Sequence, residues 1–318
     1  MQVLGLDTSN YTTSAAVFDG TAGKNQGQLL QVRSGELGLR QSDALFQHVK
    51  QLPGIIADLA PGETLKQLQA VGASTRPRAV EGSYMPCFLA GASQGQVLAQ
   101  VLGVPFYAFS HQQGHLAAAA WSAGRIGLLD CPFLAWHLSG GTTELLLVEP
   151  GADRVAPRAE ILGGTSDLSA GQLIDRTGVL LGLDFPAGKA LDALYGQADA
   201  CLNYRVKLQG LSFSLSGMEN QVKRLLEQGE KPANIARFTL DTIIGVVIRA
   251  TQEAKRRYPG LPVLCSGGVA SNSQLRTAMK ETCGALFAQP QYAADNAMGT
   301  AILTWRALER SGMGEHEP

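Results

Sequence analysis

Short apolar runs broken by Gly, Ser and Thr alternate along this chain with stretches whose apolar residues recur every three or four positions. Residues 3–7 and 14–19 read as strands around a turn at 8–13, because each apolar run stops at a polar, hydroxyl-rich stretch. Residues 41–58 carry Leu45, Val49, Leu52 and Ile56 at helical spacing, with Pro53 inside the pattern. A strand is expected at 70–74, a small-residue helix at 91–104, a strand at 105–108 and an alanine-rich helix at 114–123. Residues 133–138 and 145–149 form a second strand pair, followed by helices at 169–181, 190–197 and 233–257. A short strand at 262–265 ends on Gly267-Gly268, and helices follow at 272–283 and 296–311. Strands alternating with helices predict an α/β fold with a mostly parallel sheet covered on both faces.

One internal echo adds to that pattern. Val3-Leu4-Gly5-Leu6-Asp7-Thr8-Ser9-Asn10-Tyr11-Thr12-Thr13 aligns with Phe133-Leu134-Ala135-Trp136-His137-Leu138-Ser139-Gly140-Gly141-Thr142-Thr143 at a constant offset of 130. An apolar strand, a hydroxyl-rich turn and a Thr-Thr pair line up, and each copy runs into a second strand. A duplicated β-turn-β unit implies two related lobes, and such turns offer backbone N–H groups and hydroxyls to phosphate. Two unrelated hairpins are the simpler alternative.

Composition narrows the class. The chain has 318 residues, long enough for one large α/β domain or two tightly joined ones. Hydrophobic residues make up 45% and the formal net charge is −1, which excludes intrinsic disorder and a globally basic nucleic-acid binder. Lys223, Arg224, Arg249 and Lys255-Arg256-Arg257 are local candidates for phosphate contacts, and solvated helix faces explain them more simply. No apolar run approaches the ~20 residues of a membrane span. No basic segment precedes the first apolar run, so a signal peptide is not expected and the protein reads as cytoplasmic. Cys87, Cys131, Cys201, Cys265 and Cys283 are odd in number and never form CxxC, so they read as reduced and mostly core. Glycine, at 37 residues, exceeds the usual ~7% and punctuates the strand ends.

Candidate chemistry centres on Ser110-His111-Gln112-Gln113-Gly114-His115. Residues i and i+4 of a helix share a face, roughly 6 Å apart along the axis, so His111 and His115 can chelate one metal ion. A zinc protease carries Glu directly after the first His as general base. Gln112 stands there, and an amide cannot accept a proton from metal-bound water. His137, at the strand end where Asp7 sits in the first copy, is a further candidate ligand or a satisfied strand-terminal histidine. Asp295, ahead of the last helix, is an N-cap or a hard ligand for iron, manganese or magnesium.

These pieces together resemble the TsaD family of tRNA threonylcarbamoyltransferases, also labelled glycoprotease. The resemblance runs through Leu4-Gly5-Leu6-Asp7-Thr8-Ser9, His111-x-x-Gly-His115-Leu116 and Ser139-Gly140-Gly141-x-Thr143. It continues through Ser169-Ala170-Gly171-x-x-x-Asp175, Leu180-Leu181-Gly182-Leu183-Asp184-Phe185-Pro186-x-Gly188 and Ser212-Phe213-Ser214 with Ser216-Gly217. It closes on Gly267-Gly268-Val269-Ala270-Ser271-Asn272 and Asp295-Asn296-x-Met298.

The resemblance implies two duplicated lobes of the actin, sugar-kinase and heat-shock-chaperone ATPase fold with a central nucleotide cleft. The lobes would span residues 1–125, with helix 296–318 packing back, and 126–295. It implies transfer of threonylcarbamoyl from threonylcarbamoyl-adenylate to an adenosine in the tRNA anticodon loop, with partner proteins and no membrane. The family's metal pattern falls on His111, His115 and Asp295, with His137 added, for iron, zinc or manganese and with magnesium as a further candidate. Its pattern for ATP, AMP or an acyl-adenylate falls on Ser139, Gly140, Gly141, Asp175, Gly188 and Asn272, with Gly267-Gly268 against adenine. Asp7, Thr8, Ser9, Thr12, Arg76 and Arg78 are candidate phosphate or anion contacts.

Departures from the family pattern are Tyr11 and Thr12 for an Asp-Glu pair, Gln113 for Glu, and Arg76-Pro77-Arg78 for Gly-Pro-Gly. Others are Thr142 for His, Asp167 with Leu168 for an acidic run, and Gln172 for Glu. They leave open a divergent paralogue that binds nucleotide and metal as a regulatory subunit, or that acts on another acyl-adenylate.

Overall fold

The computed structural model describes residues 2–9, 11–32, 39–202 and 204–313, so Asn10 of the aligned turn and residues 314–318 of the expected last segment lie outside the described residues. The chain divides into two compact units. One comprises Met1–Cys131, Glu149–Arg158 and Asp295–Pro318; the other comprises Pro132–Val148 and Ala159–Ala294.

The first unit is built on β1 (Gln2–Asp7), β2 (Thr12–Phe18), β3 (Gly23–Leu29), α1 (Gln41–Leu59), α2 (Gly62–Lys66), β4 (Leu68–Arg76), α3 (Phe88–Leu102), β5 (Phe106–Ser110) and α4 (His111–Ser122). Its sheet runs β3-β2-β1-β4-β5, with β4 parallel to both β1 and β5. Leu4, Leu6, Val71 and Ala73 from the sheet pack with Leu52 and Ile55 of α1 and Ala99 of α3. The alternating strand residues and the i, i+3 spacing of α1 meet in one core.

The second unit holds β6 (Phe133–Leu138), β7 (Thr143–Pro150), β8 (Pro157–Thr165), α5 (Ala170–Leu180), α6 (Gly188–Tyr195), β9 (Leu208–Gln209) and β10 (Ser212–Phe213). It continues with α7 (Ser216–Glu227), α8 (Pro232–Arg257), β11 (Val263–Ser266), α9 (Ser273–Cys283), β12 (Leu286–Phe287) and α10 (Pro290–Ala293). Two strands, β7 and β8, cross the boundary between the units at their outer ends. Trp136 is fully buried in this unit's core, where its Nε1–H donates to Thr251 Oγ1 at 2.8 Å, leaving no stranded indole donor. Chain direction then returns to the first unit through α11 (Met298–Met313), which lies against β1, β4 and α4.

The duplication is carried in the strand register. In the first unit Val3 pairs with Phe18 and Asp7 with Ser14. In the second, Phe133 pairs with Val148 and His137 with Glu144, every partner displaced by the same 130 positions. The sheet order β8-β7-β6-β11-β12 repeats β3-β2-β1-β4-β5, and β9 and β10 extend it at one edge.

Strands β3 and β8 and helix α7 are among the elements that the sequence pattern did not predict. Strand β3 is polar (Gly-Lys-Asn-Gln-Gly-Gln-Leu) because it is an edge strand with no buried face to impose alternation. Strand β8 opens on Pro157 and carries Gly163-Gly164 before its last residue, Thr165, which masks its apolar positions. Helix α7 buries Met218 and Val222 and packs Leu225 and Leu226 on the core, a helical period that the expected elements do not include. The five cysteines form no disulfide; Cys87, Cys265 and Cys283 are buried, while Cys131 and Cys201 are exposed. No helix among the described residues is long and apolar enough to cross a membrane.

Candidate functional site

Strand β5 passes straight into α4 at Ser110, and that junction creates the site. Ser110 Oγ accepts from the backbone N–H of Gln113, and Gln113 Oε1 accepts from the N–H of Ser110. This reciprocal cap starts the helix at His111, three residues before the expected start. His111 and His115 therefore lie one turn apart on the same face, with ring centroids 4.2 Å apart and planes at 74°.

Asp295 precedes α11 and points at both rings. Its Oδ1 lies 3.4 Å from His111 Nε2 and 3.3 Å from His115 Nε2. The capping position belongs instead to Asn296, whose Oδ1 accepts from Met298 N–H at 3.1 Å. One donor atom from each of His111, His115 and Asp295 falls within 4.8 Å of the others. Two imidazoles and a carboxylate at this spacing fit zinc, iron or manganese. His137 belongs to the second unit, on β6, paired across the strands with Glu144 and beside Ser266 of β11.

The far side of His111 is equally ordered. Its Nδ1 lies 2.8 Å from Asp7 Oδ2, which also accepts from Ser74 Oγ at 2.6 Å. Asp7 Oδ1 accepts from Ser9 N–H at 2.9 Å and from Ser9 Oγ. Burial opposes the charge on Asp7, but the adjacent His111 and the three hydrogen-bond donors hold its carboxyl below the usual range. Burial likewise opposes protonation of His111, yet Asp7 and Asp295 together raise it to about 10. Asp295 is pushed up by burial and pulled well below the carboxylate range by the two histidines.

The remaining turn residues of the first unit have other partners. Thr8 Oγ1 donates to Cys87 O and accepts from Gly91 N–H, tying β1 to α3. Thr12 closes the turn through its N–H on Ser9 O. Arg76 is exposed and Arg78 half-buried, and Pro77 between them accepts from Gln112 N–H, so this loop sits at the start of α4. Gln113 does more than its place in the sequence indicates: its Nε2 donates to Pro157 O at 3.0 Å, a bond that a glutamate could not make.

In the second unit the candidate nucleotide residues gather at the ends of neighbouring elements. Strands β6 and β11 are parallel, so Ser139-Gly140-Gly141 and Gly267-Gly268 leave the sheet at the same edge, where α/β sheets bind ligands. Ser169 Oγ donates to Gly140 O at 2.6 Å and Ala170 N–H to Thr143 Oγ1, which pins that turn to the start of α5. Asp175 Oδ1 accepts from Ala187 N–H, so it holds the entry to α6, where Gly188 stands. Asn272 caps α9 through Leu275 N–H. Gly267 has φ +98°, and a Cβ there would lie 2.1 Å from Leu138 O, so only glycine fits. Gly140, Gly141, Gly188 and Gly268 have open space where a side chain would be.

Five of the six basic candidates have local acceptors. Lys223 pairs with Glu219, Arg256 and Arg257 pair with Glu253, and Lys255 donates to Cys283 O. Arg249 donates to Val206 O.

Comparison with known proteins adds names to this geometry. A profile described as TsaD: tRNA N6-adenosine threonylcarbamoyltransferase matches residues 38–302. The chain is 33% identical to a tRNA N6-adenosine threonylcarbamoyltransferase of Thermus thermophilus, over 98% of this chain and 94% of the relative. It is 32% identical to the enzyme of the same name from Chlorobium luteolum, with the same coverage. Among solved structures, component A of (R)-2-hydroxyglutaryl-CoA dehydratase from Acidaminococcus fermentans superposes at a TM-score of 0.56, with 15% identity over 97% of this chain and 99% of that one. An ROK hexokinase from Thermus thermophilus gives 0.55, with 13% identity over 97% and 99%. These likenesses show the fold alone, the α/β fold expected from the sequence.

Proposed function

Because the chain belongs to the TsaD family of tRNA N6-adenosine threonylcarbamoyltransferases, we propose that it transfers a threonylcarbamoyl group from threonylcarbamoyl-adenylate to N6 of an anticodon-loop adenosine in tRNA. The observation that carries this reading is the intact His111–His115–Asp295 cluster in a chain that matches the family nearly end to end. The N6 amine attacks the carbamoyl carbon, the bond from that carbon to the phosphate oxygen breaks, AMP leaves, and the amine loses one proton.

His111, His115 and Asp295 would hold a divalent iron, zinc or manganese ion, which when bound supplies a Lewis acid for carbamoyl or phosphate oxygens. The backbone of Ser139-Gly140-Gly141 would bind phosphate, the start of α6 at Gly188 and Asp175 would take the ribose, and Gly267-Gly268 with Asn272 would lie against adenine. Open space at Gly140, Gly141, Gly188 and Gly268 supports this assignment, since a ligand can approach the backbone there. The formal net charge of −1 favours a tRNA site completed by basic surface on partner proteins.

A second reading rests on Arg76 and Arg78 at the start of α4. They suit a more anionic acyl-adenylate or a regulatory role. Complementation decides between the two: a strain depleted of its own threonylcarbamoyltransferase should regain threonylcarbamoyladenosine in its tRNA when this chain is expressed. Soluble expression without restored modification overturns the first reading in favour of the second.

A further inference from the structure

Asp7 is a fully buried carboxylate that the proposed chemistry does not use. Only 1% of it is exposed. Removing such a charge from water costs several kcal/mol unless donors surround it. Four donors do: Ser9 N–H and Ser9 Oγ on Oδ1, and Ser74 Oγ and His111 Nδ1 on Oδ2.

The fold itself does not need a carboxylate there. The position 130 residues on, at the same register of the duplicated strand pair, carries His137. The same strand end therefore forms with an imidazole in place of an acid. What distinguishes the first copy is His111, 2.8 Å away, whose other nitrogen faces Asp295 beside His115.

We infer that Asp7 is the positioning residue of the metal centre: it accepts the Nδ1–H of His111, so that Nε2, which gives up its proton when an ion binds, is directed at the cluster. An ionised carboxylate can only accept, which fixes the ring's tautomer and rotation. Ser74 extends this control. Its Oγ lies 3.0 Å from Thr300 Oγ1 on α11, the helix that Asp295 precedes. Asp7 and Ser74 thus connect β1, β4, α4 and α11 behind the ligands. This inference rests on the metal reading of His111, His115 and Asp295.

Metal-free wild-type protein and the Asp7→Asn and Ser74→Ala variants are titrated with Zn2+ against a chelator and with Co2+ by visible absorption. Wild type should bind one ion. Asp7→Asn should bind about 10–100-fold more weakly with a shifted Co2+ spectrum, and Ser74→Ala should show a smaller loss. A purely structural Asp7 would lower the melting temperature of the free and loaded forms alike and leave affinity and spectrum untouched, which overturns the inference. If Asp7→Asn does not fold, Ser74→Ala and Ser9→Ala decide, and wild-type affinity in both overturns it. A wild type that binds neither ion overturns the metal reading, and this inference with it.

Discussion

Gln113 holds two chain segments at once, through Oε1 on Ser110 N–H and Nε2 on Pro157 O. Gln172 repeats the first of these bonds at the start of α5, accepting from Ser169 N–H. Both stand where the family pattern has glutamate, and both keep the capping bond that a glutamate would make. The amide at 113 adds a donor. Gln113→Glu should retain the cap, strip the donor from Pro157 O and set a carboxylate against that carbonyl. The expected loss is about 1–3 kcal/mol, read by urea unfolding at neutral pH; unchanged stability would show that Pro157 O has another donor. Legibility in the sequence follows the same lines. The His111/His115 pair could be read because helical spacing alone places i and i+4 on one face. Asp7 could not be assigned to His111, since 104 positions separate them and only the β5–α4 junction brings them together. The sequence leaves Asp295 open between an N-cap and a ligand; the fold sets its carboxylate beside both histidines and gives Met298 N–H to Asn296 instead.

Helix packing sets the site as firmly as its ligands do. Where α11 crosses α4, a Cβ on Gly299 would lie 1.7 Å from Gly114 O. Gly114 immediately precedes His115, and Asp295 lies four residues ahead of Gly299, so spreading these helices separates the side chains of the cluster. Gly299→Ala should cost roughly 1–3 kcal/mol or more through overpacking and weaken Zn2+ binding. Gly312→Ala, with nothing near the added Cβ, should raise helix stability by up to about 1 kcal/mol and leave Zn2+ affinity unchanged. Equal affinity in both variants would dissociate the crossing from the site.

At the start of α7, Asp167 Oδ1 accepts from Leu215 N–H at 2.9 Å and Ser216 N–H at 3.3 Å, while Oδ2 accepts from Ser214 Oγ. Partial burial opposes its charge, and these donors more than offset that, holding the carboxyl below the usual range. A depressed folded-state value means the stabilisation is complete above the unfolded value of about 3.9 and fades as pH falls toward the folded one. Wild type should therefore be more stable than Asp167→Asn at pH 7 and pH 5, with the gap closing below pH ~4. A gap as wide at pH 2 as at pH 5 would assign the effect to shape rather than charge. Helix α7 itself carries the helical period Met218, Val222, Leu225 and Leu226, while the turn at Asp167 that meets its start is 48 residues away in sequence.

Across the whole molecule, the constant offset of 130 was visible as an 11-residue alignment and reappears as identical strand registers in two sheets. The edge strand β3 and the short β12 were not visible, since the first lacks a buried face and the second has two residues. The first unit also joins segments far apart in sequence, for Ala301, Ile302 and Leu303 of α11 are buried against it. Ending the chain at residue 294 should leave the first sheet's apolar face bare. Such a truncation should collect in the insoluble fraction, and a soluble, cooperatively unfolding product would contradict that placement.

That placement also orders events in time. A ribosome that has delivered the first unit's segment up to Cys131 still has 164 residues to add before it reaches Asp295. At roughly 5–20 residues per second, this is about 8–30 seconds. During that interval both histidines exist without their carboxylate, and the strand bearing Asp7 lacks the helix that covers it. The nascent chain is therefore most exposed to chaperones and proteases in this window. Loading an ion at the three-residue cluster would report that synthesis has passed Asp295.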